Sequence, residues 1–300
     1  MLKNLPSSLD SRARMHCAFL TLFLLSCSAG AQEAASATAE RLLVLSTDRI
    51  VLPIGNQGQE IELVVSAPHT YDPSRTYPVL VVLDADPLLG LLKTVNFLWS
   101  EEGKAAPVIL VGVPFGADPG AIWKNRTYYL LPKSVEVIEY YDTQVPLNSG
   151  GGAIELAKFL KDRVVPAVLD RYSVDPNRLG LAGFSMGGLF AAWHLANYSD
   201  LFSDYLVVSP PLAEPFVGPK FQKATESLRR QGFNRSTKVY VAYADEDLNY
   251  VLSGAGAWIG GWSNSEDVNL SFRSEVIAGH RHDSGAIPAL ISGYEFLYGK

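Results

Sequence analysis

The chain is 300 residues long, 48% hydrophobic and 19% charged, with a net charge of −6 at pH 7. An acidic balance without any basic run argues against nucleic acid as a partner, and a hydrophobic content near one half excludes a natively disordered chain. Two cysteines are too few for a disulfide-stapled scaffold.

Residues 1–16 carry Lys3, Arg12 and Arg14 against Asp10, the run from Cys17 to Ser28 is apolar, and Ala29-Gly30-Ala31 precedes Gln32. Basic start, apolar middle and small-x-small end make residues 1–31 a signal peptide, so the mature protein is expected in the periplasm or outside the cell. The apolar run is about a dozen residues, short of the roughly 18–20 that span a bilayer. The same stretch, Leu24-Leu25-Ser26-Cys27, is also close to a lipoprotein cleavage box. On that reading Cys27 carries a lipid anchor, the one link to a membrane. Residues 32–40 read as a polar, alanine-rich linker and 41–300 as a single α/β domain. Both cysteines fall within the removed segment, so the mature domain must be held by its core. Taking away Lys3, Arg12, Arg14 and Asp10 reduces the 25 basic and 31 acidic residues to 22 and 30, leaving the domain more acidic still.

From Leu42 to Ala67 come β-prone runs broken by Gly55-Asn-Gln-Gly58, an antiparallel hairpin at a sheet edge. Tyr77-Pro-Val-Leu-Val-Val-Leu-Asp84 and Pro107-Val-Ile-Leu-Val-Gly-Val113 are apolar almost throughout, as parallel strands covered on both faces are. A helix fits between them, from about Pro87 to Trp99. The alternation continues with a helix over Ile154–Leu169, a strand ending near Phe184, a helix over Met186–Tyr198, and the strand Tyr205–Ser209. Then follow a helix near Phe221–Arg230, the strand Lys238–Tyr243, a helix near Tyr250–Trp262 and a strand over Ser271–Ile277. This order demands a mostly parallel sheet with helices on both faces. Residues 115–152 break the rhythm as a long loop rich in aromatics (Trp123, Tyr128, Tyr129, Tyr140, Tyr141) that ends in Gly150-Gly-Gly152. It leaves the carboxyl end of a strand, where open α/β sheets bind ligands, and reads as a pocket wall or lid.

Gly183-Phe-Ser185-Met-Gly187 stands between a buried strand and a helix, the context of a nucleophile elbow. Ser185 is then the nucleophile, and the N–H of Met186 supplies one half of an oxyanion hole whose other half comes from the loop after Asp84. A serine hydroxyl needs a base, and a carboxylate behind the base. Chain order in this fold (Ser, acid, His) sets aside His16 and His69, while His194 lies mid-helix and reads as a core or surface residue. His280 and His282, in Ala278-Gly-His-Arg-His-Asp-Ser284, remain for the base. Asp245, Glu246 and Asp247 remain for the acid, the two not used forming a solvated acidic turn. The His-Arg-His-Asp run lacks the third converging ligand a metal site wants, so neither metal nor other cofactor is expected.

With these residues in hand the sequence resembles the putative-esterase family of α/β hydrolases, which takes in esterase D-like enzymes, feruloyl and acetyl-xylan esterases, siderophore trilactone esterases and mycolyltransferases. The resemblance runs from near Ile50 to near Leu290. It is carried by Tyr77-Pro-Val-Leu-Val-Val-Leu-Asp-Ala-Asp86, Arg126-Thr-Tyr-Tyr-Leu-Leu-Pro132, Gly183-Phe-Ser-Met-Gly-Gly-Leu-Phe190 and Val207-Val-Ser-Pro-Pro-Leu212. It implies an α/β-hydrolase fold with Ser185 as nucleophile, the amides of Met186 and Asp86 as oxyanion donors, His282 ahead of His280 as base, and Asp247 ahead of Glu246 as acid. In some siderophore esterases of this family the acid is absent or misplaced, so the resemblance leaves a Ser185–His282 dyad as the alternative. The resemblance places Arg126 and Tyr128 at the substrate, with an ion pair that anchors the long loop as the alternative for Arg126.

The expectation is an exported serine esterase that forms an acyl-enzyme on a small-molecule ester. A siderophore trilactone is one substrate class for it, and acyl transfer uses the same residues. A non-catalytic binder on the same fold is the alternative from another class.

Overall fold

The computed structural model describes residues 47–55, 59–116 and 118–300. The proposed signal peptide, the linker and Cys27 lie outside the described residues. The amino-terminal strands β1 (Asp48–Ile54) and β2 (Gln59–Ser66) pair antiparallel. Then come β3 (Tyr77–Leu83), helix α1 (Ala85–Glu101) and β4 (Ile109–Val113). The main sheet has the order β1-β2-β4-β3-β7-β8-β9-β10, with β7 at Val174–Phe184, β8 at Asp204–Val208, β9 at Thr237–Glu246 and β10 at Leu270–Arg281. From β4 to β10 every neighbouring pair is parallel, and β2 joins antiparallel at β4. This is the α/β-hydrolase architecture, a mostly parallel sheet with an antiparallel hairpin at one edge.

The apolar runs fold as strands with both faces covered because their side chains alternate between two cores. Val79, Val81 and Leu83 of β3 enter one, with Leu156, Leu189 and Phe190. Leu80 and Val82 enter the other, with Leu88, Leu92, Leu290 and Tyr294. The first core is covered by α3 (Ala153–Phe159), α4 (Val165–Arg171), α5 (Met186–Tyr198), α6 (Pro219–Gln231) and α7 (Asn249–Trp262). The second lies under α1 and α8 (Ala286–Tyr298).

Three expectations are corrected here. The helix over Ile154–Leu169 is interrupted by a π turn at Leu160–Val164. Pro166 cannot donate to the turn before it and its ring would meet the carbonyl of Asp162, so the chain widens by a residue. The final strand runs on to Arg281, past Gly279, whose φ of 72° accompanies a slip of register between Ile277 and Arg281. Residues 115–152 are not a loop. Helix α2 (Pro119–Leu130) opens there, with the Asp118 carboxylate accepting from the N–H groups of Gly120 and Ala121 at 3.0 Å each. A separate hairpin follows, β5 (Ser134–Tyr140) and β6 (Thr143–Gly150), turning at Tyr141-Asp142.

Candidate active site

The residues singled out in sequence converge at the carboxyl ends of three parallel strands, the edge where open α/β sheets hold ligands. Ser185 follows β7, Asp247 follows β9 and His282 follows β10. Ser185 sits at φ 57° and ψ −119°, a conformation that costs a non-glycine residue about 1–3 kcal/mol and holds its side chain out at the top of the turn. Small neighbours make that turn feasible. A Cβ on Gly183 would meet the Gly187 carbonyl at 2.2 Å, and one on Gly187 would meet the Asp84 carboxylate at 2.8 Å.

The Ser185 Oγ lies 2.9 Å from His282 Nε2, and His282 Nδ1 lies 2.6 Å from Asp247 Oδ1. With Nδ1–H donating to the carboxylate, Nε2 is free to accept from the serine hydroxyl. His282 is 2% exposed and Asp247 6%, and the Phe184 ring lies against the imidazole at a centroid distance of 4.8 Å. Asp247 Oδ1 also accepts from the Leu248 N–H at 2.8 Å, and its Oδ2 from the Ala244 N–H at 3.2 Å. Burial pushes the Asp247 carboxyl up, but the His282 ring, the Ser209 hydroxyl and the Leu248 amide outweigh it and hold it below the usual carboxylate range. The Ser209 hydroxyl is buried without a partner at good hydrogen-bonding geometry, yet it is close enough to exert that pull. Ser209 caps β8, the strand between those that carry Ser185 and Asp247, and reaches its place with φ 45°.

The two candidate oxyanion amides differ in their surroundings. Met186 opens α5, whose first N–H groups have no intrahelical acceptor, while Ser185 N–H is already committed to the Val208 carbonyl at 2.9 Å. Asp86 lies in the first turn of α1 after Asp84, which adopts φ 54°. Partial burial raises the Asp86 carboxyl, its own backbone N–H draws it partly back down, and the Asp84 carboxylate adds to the rise.

The structure brings Ser185, His282 and Asp247 together and leaves His280 and Glu246 out. His280 N–H and Gly279 N–H donate to Asp245 at 3.2 and 3.0 Å. Asp245 is thus no idle member of a solvated turn but ties the β9 end to the bend before His282, and the Gly279 amide above all holds its carboxyl down. His194 is fully buried, its Nδ1 3.2 Å from the Tyr205 hydroxyl, and burial pushes it down to about 3. It is a core residue.

Arg126 and Tyr128 do not share a surface. Residues two apart on a helix point about 200° apart, and α2 turns Arg126 toward Asp84 and Tyr128 away from it. The Arg126 guanidinium donates to both Asp84 oxygens at 2.7 and 3.1 Å, with its Nη2 3.5 Å from the Phe184 carbonyl. The anchoring alternative thus describes its contacts. The Tyr128 hydroxyl donates to Glu155 at 3.2 Å and lines a cavity of about 860 Å³ with Ile54, Lys124 and Lys158, to which none of Ser185, His282 and Asp247 contributes. The placement of Tyr128 at the substrate is corrected accordingly. Sequence reasoning missed Asp84 itself, buried beside Gly187. Its position at the end of a buried apolar strand was the available signal.

Known proteins similar to this chain are esterases by name. The ferri-bacillibactin esterase BesA of Bacillus subtilis is 24% identical over 186 residues, covering 60% of this chain and 64% of that protein. The apo-salmochelin esterase of Escherichia coli is 26% identical over 159 residues, 50% of this chain and 46% of that protein. The matches thus span less than two thirds of the length of these curated relatives. The crystal structure of the BES protein from Bacillus cereus superposes with a TM-score of 0.77 at 20% identity, covering 88% of this chain and all of that one. The family model described as "Putative esterase" matches residues 55–259, and the chain belongs to that family.

Proposed function

We propose that this protein is an exported serine esterase that cleaves a carboxylic ester through an acyl-enzyme. The observation that carries the proposal is the chain of contacts from Ser185 Oγ to His282 Nε2 at 2.9 Å and from His282 Nδ1 to Asp247 at 2.6 Å, set on an elbow with positive φ. His282 Nε2 takes the hydroxyl proton as Ser185 Oγ attacks the ester carbonyl, and Asp247 fixes the tautomer and stabilises the imidazolium that forms. Oxyanion charge gathers at the Met186 amide, aided by the α5 amino terminus, with the Asp86 amide as second donor. The imidazolium then protonates the leaving alcohol, and water attacks the acyl-enzyme by the same route in reverse. Acyl transfer needs only a different alcohol in place of that water. The amino-terminal sequence of residues 1–31 supports export.

A narrower reading of the substrate, a siderophore ester, is favoured by the names of the two curated relatives. Tyr140 and Phe184, whose rings lie against His282, would suit an aromatic acyl group.

Intact-mass labelling with a fluorophosphonate, beside Ser185→Ala and His282→Ala, tests the proposal. It expects one adduct, lost in Ser185→Ala and greatly slowed in His282→Ala. A folded protein without an adduct would overturn it in favour of a ligand-binding role. Turnover of trilactone, feruloyl and p-nitrophenyl esters then ranks the substrate classes.

A further inference from the structure

We propose that the tip of the β5–β6 hairpin, Tyr140-Tyr141, is a positioning element for His282. The inference rests on His282 being the base. It concerns what holds that base beyond the β9–β10 ladder, which shifts register after Ile277 and makes its last pairing at Arg281 with Glu246. His282 N–H, buried with its ring, donates instead to the Tyr141 hydroxyl at 2.8 Å across 141 residues of sequence. A buried N–H of this kind must find an acceptor.

The contacts on either side point the same way. The Arg281 guanidinium lies 3.7 Å over the Tyr141 ring, a cation–π contact. The Tyr140 hydroxyl donates to the Asp283 carboxylate at 2.6 Å, and the Tyr140 ring meets the His282 ring edge-on at 6.1 Å. Three consecutive residues, Arg281, His282 and Asp283, are therefore each held by the same two-residue tip. Burial, with the Asp283 hydrogen bond second, pushes the Tyr140 phenol well up, so it stays protonated and remains a donor.

The tip also reaches the acid. Tyr140 and Tyr141 pack with Tyr250 against Leu248, Val251 and Ala255 at the start of α7, and Leu248 is the residue whose N–H holds Asp247. One tip thus braces both the base and the segment that carries its carboxylate, and it does so from a hairpin outside the main sheet. Tyr141 reaches the turn with φ 53°, uncommon for an aromatic residue and consistent with a conformation held by these contacts.

Tyr141→Phe removes the acceptor and keeps the ring under Arg281. Misplacement of a catalytic group by about 1 Å can cost about 100-fold, so the phosphonylation rate of Ser185 is expected to fall at least about ten-fold. The drop should appear in kcat on a p-nitrophenyl ester, with KM changed by less than about two-fold, and Tyr172→Phe, whose hydroxyl donates to Asp48 of β1 at the sheet edge opposite β10, should leave both unchanged. A second readout is independent of turnover: proton NMR of the His282 Nδ1–H shared with Asp247. In Tyr141→Phe this proton is expected to shift and to exchange faster with solvent. An unchanged Nδ1–H resonance and exchange rate in a folded Tyr141→Phe protein would overturn the inference, whether or not the wild type reacts with the probe. An absent adduct on the wild type would count instead against the esterase reading.

Discussion

Arg126→Gln tests whether Arg126 supports the site or touches the substrate. Its guanidinium makes a two-pronged pair with Asp84, at 2.7 and 3.1 Å, and the side chains are 14% and 5% exposed. Removing one partner of a buried pair costs about 3–5 kcal/mol, because the remaining charge is left without compensation. Partial exposure of Arg126 lets some water reach the site, which puts the expected loss at the lower end, about 3 kcal/mol. At about 2–4 °C per kcal/mol for a domain of this size, that is a fall in Tm of about 6–12 °C. Asp84→Asn should cost less, since Arg126 can then turn toward solvent, and in the double variant the two losses should be markedly sub-additive. The assay is urea and thermal unfolding followed by circular dichroism, with Michaelis kinetics on the same samples. Because Asp84 also lies against Gly187, a lower kcat is expected alongside the lost stability. An Arg126→Gln protein with unchanged Tm and a raised KM would refute the brace and return Arg126 to the substrate.

Asp247→Asn should slow phosphonylation of Ser185 by about 10³–10⁴-fold with little change in fold, since an amide cannot hold the productive tautomer of the base; a loss under ten-fold would mean that a Ser185–His282 dyad suffices. The Asp247 carboxyl is held below its ordinary 3.8. Its stabilisation is therefore complete above about pH 4 and lost as pH falls through the lowered value, so the stabilities of wild type and Asp247→Asn should draw together in acid. His194 behaves differently. Buried and pushed from 6.5 down to about 3, it stays neutral in the folded chain while the unfolded chain takes up a proton. Stability should therefore fall by about 1.4 kcal/mol for each pH unit below 6.5 until the folded value is reached. His194→Phe, which suits its neighbours Phe190, Tyr198 and Phe202, should flatten that limb in urea titrations between about pH 6 and 4. Parallel pH curves for the two proteins would sink this account.

Much of the sheet was legible in the sequence because the signal is local. A parallel strand buried on both faces is a continuous apolar run, as Tyr77–Leu83 and Ile109–Val113 are, and a helix between such runs follows from its length and spacing. The elbow was legible for the same reason: Gly183 leaves room for the Gly187 backbone within five residues. The segment 115–152 was not. Helix α2 carries no apolar stripe, since one side presents Arg126 to Asp84 and another presents Tyr128 to Glu155, and partners 42 and 27 residues away leave no local period to read. The hairpin β5–β6 lies outside the main sheet, so its strands lack the two-sided apolar run that revealed the others.

The sequence by itself determined the fold class and marked out the elbow at Ser185 and the short stretches that meet it, because chain order and local pattern are properties of neighbouring residues. Only the tertiary structure showed that His282, and not His280, meets Ser185, and that Asp247, and not Asp245 or Glu246, meets His282. His280 and His282, like Asp245 and Asp247, are two residues apart, a spacing that shares a face on a regular strand. The two members of each pair part because β9 ends at Glu246 and β10 at Arg281, between them, with strands β7, β9 and β10 ending side by side. The same holds for Asp84 with Arg126 and for Tyr141 with His282. Those pairs exist because the sheet order brings together residues that are far apart along the chain.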